Sequence, residues 1–291
     1  MDQRVINLYD TFTHGGMSRR DFLDRLAGLT GSAAAAAAIL PLLRNDYAQA
    51  AIVAADDPRL VAERVAYDSP KGKVNGYLVR STAKGKRPAI IVIHENRGLN
   101  PHIEDVARRL AVEGFLVLAP DLLSVSGGTP PDEDKARELH AKTDPKDITA
   151  AAMAAVPFLL THPESNGNVG VVGFCFGGGV ANRMAAERPE LKAVVVYYGA
   201  QIPADQVPAI RAPLLLHYAG LDERINAGIA AYESALKANG KLYTIYMYPG
   251  VNHAFNNDTG GARYNKEAAD LAWERTLAFF KENLGAPSRP R

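Results

Sequence analysis

Short, fully apolar runs alternate with longer amphipathic stretches through most of the chain. The apolar runs lie at 88–94, 115–119, 169–173, 213–219 and 242–248, and amphipathic stretches cover 103–113, 146–160, 180–187, 227–239 and 266–283. The runs at 88–94, 115–119 and 213–219 are typical of buried strands, and those at 169–173 and 242–248 also predict strands. The amphipathic stretches predict helices. Residues 61–69 and 73–80 alternate instead, which predicts an antiparallel pair at one edge. The pattern therefore predicts an α/β fold with a mostly parallel sheet of about eight strands and helices on both faces.

The run at 169–173 leads into Gly173-Phe-Cys-Phe-Gly177, where a glycine stands two residues either side of Cys175. This spacing is typical of a sharp strand-to-helix turn that exposes a nucleophile, because a side chain at either glycine would collide with its neighbours. A helix that starts here directs N–H groups at the sulfur and favours a thiolate. A cysteine alone among apolar residues is more often a small buried hydrophobe.

An acid and a histidine follow two later strands, and they favour a catalytic cysteine over a buried apolar one. Asp222 comes just after the run at 213–219, and His253 comes just after the run at 242–248. Nucleophile, acid and histidine in this order, each past the carboxyl end of a strand, are typical of an α/β-hydrolase. We therefore predict that Cys175, Asp222 and His253 form a catalytic triad.

A tetrahedral intermediate also needs two hydrogen-bond donors for its oxyanion. The N–H of Phe176, directly after the nucleophile, is one candidate, and Glu95 or Asn96, in the loop after the run at 88–94, supplies the other. A carboxylate at Glu95 would repel the oxyanion unless it is engaged elsewhere or protonated. Glu95 has two structural alternatives, which are capping the helix that begins near Pro101 and pairing with Arg97.

The first fifty residues differ from the rest. Ser18-Arg-Arg-Asp-Phe-Leu23 is a twin-arginine motif, and an interrupted apolar stretch at 26–43 and Ala48-Gln-Ala50 follow it. This order predicts a twin-arginine export signal removed after Ala50, with a single domain at 51–291 that is periplasmic or secreted. The alternative is an alanine-rich surface helix on a cytoplasmic protein. After removal of the signal, no stable membrane association is expected.

The composition limits the kinds of molecule that the chain is expected to bind. The net charge is +1 with both signs interspersed, which gives no reason to expect nucleic acid. The single cysteine cannot form an internal disulfide, and the seven histidines show no metal-ligand spacing. We expect a small-molecule substrate and no metal. The sequence leaves the oligomeric state open.

Several of these motifs together resemble the dienelactone hydrolase family, or carboxymethylenebutenolidases, within the α/β-hydrolases. The stretches that carry the resemblance are Ile93-His-Glu-Asn-Arg-Gly98, Gly173-Phe-Cys-Phe-Gly-Gly178, Gly220-Leu-Asp222 and Asn252-His-Ala-Phe255. The resemblance implies lactone hydrolysis by a Cys175, Asp222 and His253 triad through a thioester, with Glu95 contacting the resting thiol. It also implies that no cofactor is needed.

The resemblance departs at the substrate-binding positions. Arginines that bind a substrate carboxylate in the family are missing after Asp121 and after His253, where this chain has Leu122-Leu-Ser-Val and Asn256-Asn-Asp258. Arg97 and Arg263 are candidates to supply a guanidinium by another route. A broader carboxylesterase or a peptidase-like hydrolase on the same triad is therefore one alternative, and a non-catalytic binding or thiol-sensing protein is another.

Overall fold

A computed structural model of the chain describes residues 1–47 and 51–285. Within them, eight strands form one sheet in the order β1-β2-β4-β3-β5-β6-β7-β8. The first pair, β1 and β2, is antiparallel, β2 also lies antiparallel to β4, and strands from β3 to β8 run parallel. The strand bounds are Leu60–Ser69, Gly72–Ser81, Arg87–Ile93, Leu116–Pro120, Ser165–Phe174, Ala193–Tyr197, Leu214–Ala219 and Tyr243–Tyr248.

Helices cover both faces of this sheet. The α-helices, numbered α1 to α10 along the described chain, are Gln3–Thr13, Arg19–Thr30, Ala33–Leu43, Pro101–Val112, Glu133–Lys142, Pro145–Thr161, Phe176–Glu187, Glu223–Asn226, Ile229–Ala238 and Lys266–Leu284. One face packs apolar side chains against α6, α7 and α9, and the other packs against α4 and α10. Burial on both faces explains why β3 to β7 are almost wholly apolar.

The predicted α/β-hydrolase architecture is confirmed, and one local expectation is corrected. Helix α7 begins at Phe176 rather than Val180, so the three glycines after Cys175 lie in its first turn. One face of the short helix α5 is covered, because Glu133 pairs with Arg97 and Arg44. The pairing of β1 with β2 at the sheet edge agrees with the prediction.

Residues 1–47 fold as three helices with a small apolar core of their own. That core buries aromatic and aliphatic side chains from all three helices, namely Val5, Ile6, Tyr9, Phe12, Phe22, Leu26, Ala36 and Leu43. The proposed removal site, Ala48 to Ala50, lies outside the described residues. Among the described helices, none is long and apolar enough by itself to cross a membrane. The bent pair α2 and α3, at 110°, meets the length and composition test only together.

The crossing of β5 and α7 leaves no room for a side chain at Gly173. An added Cβ there would lie 1.9 Å from the carbonyl oxygen of Gly177. We expect Gly173→Ala to destabilise the fold by about 3 kcal/mol or more, because backbone atoms must move apart. Gly179→Ala is the matched control within the same turn, since its nearest contact would be 3.6 Å. Thermal unfolding should show a clear loss for the first variant only; equal losses would contradict this packing.

Candidate active site

Cys175 sits at a strained turn between β5 and α7. Its backbone has φ 55° and ψ −116°, a conformation that costs a non-glycine residue roughly 1–3 kcal/mol. The turn is held because the Cys175 N–H donates to the carbonyl of Tyr197 at 3.0 Å, and because Gly177 packs against the carbonyls of Ile93 and His94. The sulfur is thereby fixed at the N-terminus of α7, at the carboxyl edge of the sheet.

Asp222 and His253 form a buried hydrogen-bonded pair beside this turn. Asp222 follows β7, and its Oδ2 lies 2.5 Å from Nδ1 of His253, which follows β8. The other carboxylate oxygen accepts the N–H of Ile225 at 3.2 Å and so caps α8. With both oxygens engaged, the carboxylate fixes the ring of His253 and leaves Nε2 to face the sulfur.

The Cys175 sulfur lies close to two imidazoles, those of His253 and His14. Nε2 of His253 is buried and has no hydrogen-bond partner among the described residues, and it lies within 4.8 Å of the Cys175 sulfur. The hydrogen bond to the sulfur comes instead from Nε2 of His14, at 3.2 Å. The two imidazoles meet edge to face with their ring centres 4.9 Å apart.

Sequence reasoning missed His14. It lies just after α1, within the segment interpreted as an export signal, and no strand end or motif marks it. Its Nδ1 lies 2.8 Å from the carbonyl of Asp10 and 3.3 Å from the Asp10 carboxylate. The structure therefore brings together the predicted Cys175, Asp222 and His253 and adds a second imidazole with its own carboxylate.

Charge balance at the sulfur shifts its pKa and those of its neighbours. Burial alone would raise the pKa of Cys175, but the positive charges of His253 and His14 lower it to about 6. Burial alone would lower the pKa of His14, but the negative sulfur and Asp10 raise it to about 9. The pKa of His253 likewise rises well above its ordinary value, because the sulfur and Asp222 outweigh burial. The site thus favours a thiolate between imidazolium groups.

The predicted oxyanion residues lie around the same turn. Phe176 is the first residue of α7, where an N–H has no acceptor within the helix. Asn96 lines the pocket that contains Cys175, and its side chain donates to the carbonyl of Thr13 at 2.8 Å. Oε2 of Glu95 accepts a hydrogen bond from Asn257 at 3.1 Å. The alternative capping role for Glu95 is wrong, because Asn100 caps α4.

Arg97 and Arg263, the predicted carboxylate-binding candidates, are buried under the N-terminal helices. Arg97 pairs with Glu133 at 3.2 Å and donates to the Tyr9 hydroxyl at 3.1 Å, so the alternative pairing with Glu95 is replaced by Glu133. Arg263 donates to Asn45 at 2.8 Å. Neither lines the pocket that contains Cys175. Their role in binding substrate stays a prediction.

That pocket has a volume of about 490 Å³ and is partly apolar and partly basic. Phe176, Ile202 and Pro203 contribute apolar surface. Three arginines that sequence reasoning did not single out also line it, and they are Arg137, Arg183 and Arg224. Arg137 and His140 come from α5, so the segment after β4 forms part of the pocket wall.

The donor atoms of His14, Cys175 and His253 lie within 4.8 Å of one another. Sulfur and imidazole nitrogen also bind adventitious Zn²⁺ in solution. The same sulfur cannot be a metal ligand and a free nucleophile at once. A chelator is therefore a necessary control in any assay of this site.

Comparison with known proteins places the fold and the motifs in a family. The model of the dienelactone hydrolase family matches residues 74–284, and a second model, YqhI-like, matches residues 1–32. A candidate carboxymethylenebutenolidase of Saccharolobus solfataricus is 34% identical over 255 residues, which is 75% of this chain and 98% of that protein. A candidate hydrolase fragment of Escherichia coli K12, YghX, is 53% identical over 113 residues, covering 38% of this chain and 97% of the fragment.

A solved structure agrees with these sequence matches. The crystal structure of a candidate dienelactone hydrolase from Klebsiella pneumoniae superposes with a TM-score of 0.70 at 30% identity. The match covers 77% of this chain and 99% of that one. Its near-complete coverage leaves roughly the length of the N-terminal helices of this chain outside the common fold.

Removal of the Asp222 charge should disable His253 selectively. We expect Asp222→Asn to lower the raised pKa of His253 and to reduce kcat by about 10²-fold or more, because the imidazolium loses its partner and its fixed tautomer. Asp258→Asn is the matched control, since it breaks a second buried carboxylate–imidazole pair, with His102 at 2.9 Å. Ester turnover and NMR titration of the imidazoles test both; equal losses of kcat in the folded proteins would contradict the assigned pair.

Proposed function

Because the chain belongs to the dienelactone hydrolase family of α/β-hydrolases, we propose that it hydrolyses small carboxylic esters or lactones through Cys175, Asp222 and His253. One observation carries the proposal: a strained cysteine turn faces a histidine whose far nitrogen is bonded to a buried carboxylate. Nucleophile, base and orienting acid in this arrangement are the elements of covalent acyl transfer.

In the first half of the reaction, the thiolate of Cys175 attacks the substrate carbonyl carbon. A carbon–sulfur bond forms, and the electron pair of the carbonyl moves to its oxygen. The N–H of Phe176 and an N–H from the loop at Glu95 and Asn96 are the proposed donors to this oxyanion. When the intermediate collapses, the ester carbon–oxygen bond breaks, and His253 gives its Nε2 proton to the departing oxygen.

In the second half, water attacks the thioester. His253, now neutral, takes one proton from the water, and a carbon–oxygen bond forms at the carbonyl. Collapse breaks the carbon–sulfur bond and restores the thiolate and the imidazolium. The acid product then releases one proton, so each cycle consumes one ester and one water and yields a carboxylate, an alcohol and a proton. In a lactone the alcohol and the carboxylate remain in one molecule.

The pocket favours a small substrate with an apolar body. A volume of about 490 Å³ suits one small molecule, and Ile202 and Pro203 provide apolar contact near the sulfur. Arg137, Arg183 and Arg224 in the same pocket favour substrates that carry a negative charge. We therefore propose that a charged ester or lactone is preferred, with a broader carboxylesterase as the second candidate.

We also retain export by the twin-arginine route as a proposal, with a periplasmic or secreted location. The twin-arginine motif supports it: Arg20 is exposed at the start of α2, and Arg19 is exposed and pairs with Asp134. Recognition of the motif and removal of the segment after Ala50 are separate proposals. Removal would take away α1 to α3 together with His14.

Substitution of the sulfur tests the proposed chemistry directly. We expect Cys175→Ala to reduce hydrolysis of a panel of neutral and anionic esters and lactones, dienelactone included, by about 10³-fold or more, because covalent catalysis is lost. Ser165→Ala is the matched control, because Ser165 is buried at the opposite end of the same strand. Its activity should remain close to that of the unsubstituted protein.

Mass spectrometry of the protein quenched during turnover should show an acyl group on Cys175. Full activity in folded Cys175→Ala would contradict the proposed nucleophile. If the unsubstituted protein hydrolysed nothing in the panel, the binding or thiol-sensing alternative would be favoured instead.

A further inference from the structure

We propose that His14 is a further catalytic residue, delivered to Cys175 by the N-terminal helices, and that it holds the resting thiolate while His253 remains available as acid and base. This inference rests on the proposed function, because it requires Cys175 to be the nucleophile. It also assigns a role to residues 1–47 in the working enzyme.

Contact geometry is the first support. Nε2 of His14 lies 3.2 Å from the sulfur, a hydrogen-bonding distance, whereas Nε2 of His253 has no hydrogen-bond partner among the described residues. The sulfur therefore has a donor from His14 in the resting arrangement. The vacant Nε2 of His253 faces the same pocket, where a leaving oxygen or a water must be protonated or deprotonated.

The neighbours of His14 hold its imidazole ring in the orientation in which Nε2 contacts the sulfur. Its Nδ1 is held by the carbonyl and the carboxylate of Asp10, one helical turn earlier. Asp10 in turn approaches Arg224 at 3.8 Å. His253 has the same arrangement with Asp222, so two imidazole–carboxylate pairs converge on one sulfur. Asp10 acts through His14 and is a positioning residue.

Titratable groups from several elements face His14. Its own helix contributes Asp10, and α7 begins just after Cys175. The groups that act on it or respond to it are Cys175, Asp10, His253 and His140, and Arg224 acts on Asp10. Burial alone would raise the pKa of Asp10, but the hydrogen bond from His14 holds it below its usual range. Opposite charges dominate around His14, which favours its protonated form.

The N-terminal helices are fixed to the hydrolase domain at several buried positions. The side chain of Asn96 donates to Thr13, Arg97 donates to Tyr9, and Arg263 donates to Asn45. The guanidinium of Arg137 lies 4.4 Å from the ring centre of Phe12. Three of these contacts involve Tyr9, Phe12 and Thr13, the residues of α1 directly before His14, so they restrict where its ring can lie.

Contacts within the three N-terminal helices also stabilise their arrangement. Phe12 and Phe22 stack at 4.5 Å inside their own apolar core, and the YqhI-like model matches residues 1–32 as a unit. Removal after Ala50 would take away the partner atoms that Tyr9 and Asn45 give to the buried Arg97 and Arg263. The inference therefore requires that the segment stays attached, in opposition to its removal as a signal.

The chemical consequence is that the two histidines have different roles in the reaction. The imidazolium of His14 stabilises the thiolate before attack. Once the carbon–sulfur bond forms, the sulfur is neutral, and His14 keeps its proton. His253 alone gives a proton to the leaving oxygen and later takes one from water. When the carbon–sulfur bond breaks, the thiolate returns to His14, so protons and charges balance over the cycle.

Thiol reactivity tests this role without turnover. With full-length protein and EDTA present, the rate of Cys175 alkylation by iodoacetamide should rise with pH through a midpoint of about 6. We expect His14→Gln to raise this midpoint by about 1 pH unit or more, because it removes a positive charge in contact with the sulfur. Below both midpoints the alkylation rate should then fall about 10-fold or more. Asp10→Asn should shift the midpoint in the same direction by less.

The matched control is His162→Gln, since His162 ends α6 at the opposite edge of the sheet. It should leave the midpoint and kcat/KM unchanged. For His14→Gln, kcat/KM should fall about 5-fold at pH 6 and recover towards the unsubstituted value at pH 9, where the thiol ionises without help. A structural defect would lower activity at every pH alike, so the pH dependence separates the two explanations.

Failure of this inference is distinct from failure of the proposed function. Full activity in Cys175→Ala would remove the nucleophile itself, whereas an unchanged midpoint in His14→Gln would remove only the role of His14. Loss of activity of the unsubstituted enzyme in EDTA would make the three side chains a metal site and overturn the inference. The intact mass of the enzyme isolated from its native source must include residues 1–47; a chain that begins at Ala51 would overturn the inference too.

Discussion

The close crossing of β5 and α7 is the constraint on which the rest of the site depends. A Cβ at Gly173 would meet Gly177 at 1.9 Å, and a Cβ at Gly177 would meet the end of β3 at 2.5 Å. Only because both side chains are absent can the turn bring Cys175 to the edge of the sheet at the start of a helix. Parallel strands then bring the loop after β3, Asp222 after β7 and His253 after β8 to the same edge of the sheet.

Once ionised, the groups at this edge stabilise one another. Isolated buried charges are costly, and they persist in proteins when opposite charges accompany them. Here the sulfur lies between two imidazoles, and each imidazole has a carboxylate behind it, Asp222 for His253 and Asp10 for His14. Because each charge lowers the cost of its neighbour, the protonation states change together rather than one at a time. The two elements that supply the histidines are thus coupled through the sulfur.

Sequence patterns predicted the parts of the structure that follow from local periodicity. Strands β3 to β7 were recognisable because burial on both faces makes them largely apolar. Asp222 was recognisable because it follows β7, and His253 because it follows the edge strand β8. Two contacts depend on packing between segments that are distant in sequence. They are the ion pair of Arg97 with Glu133, and the contact of His14 with Cys175, which lie 161 positions apart. No period or spacing encodes them. The twin-arginine motif also gave residues 1–47 another interpretation, under which His14 would not belong to the enzyme at all.

The partner of the resting sulfur decides how its reactivity is controlled. A carboxylate beside the sulfur, the role that the family resemblance gives to Glu95, would raise the pKa of the thiol and keep it protonated until substrate arrives. In this chain Glu95 accepts a hydrogen bond from Asn257, and the group in contact with the sulfur is the imidazole of His14. A cation has the opposite effect, since it favours the thiolate at all times. A nucleophile that is charged at rest needs shielding from oxidants and stray electrophiles more than a neutral one does. The helices that bring His14 to Cys175 also cover one side of the pocket, so activation and shielding come from the same segment.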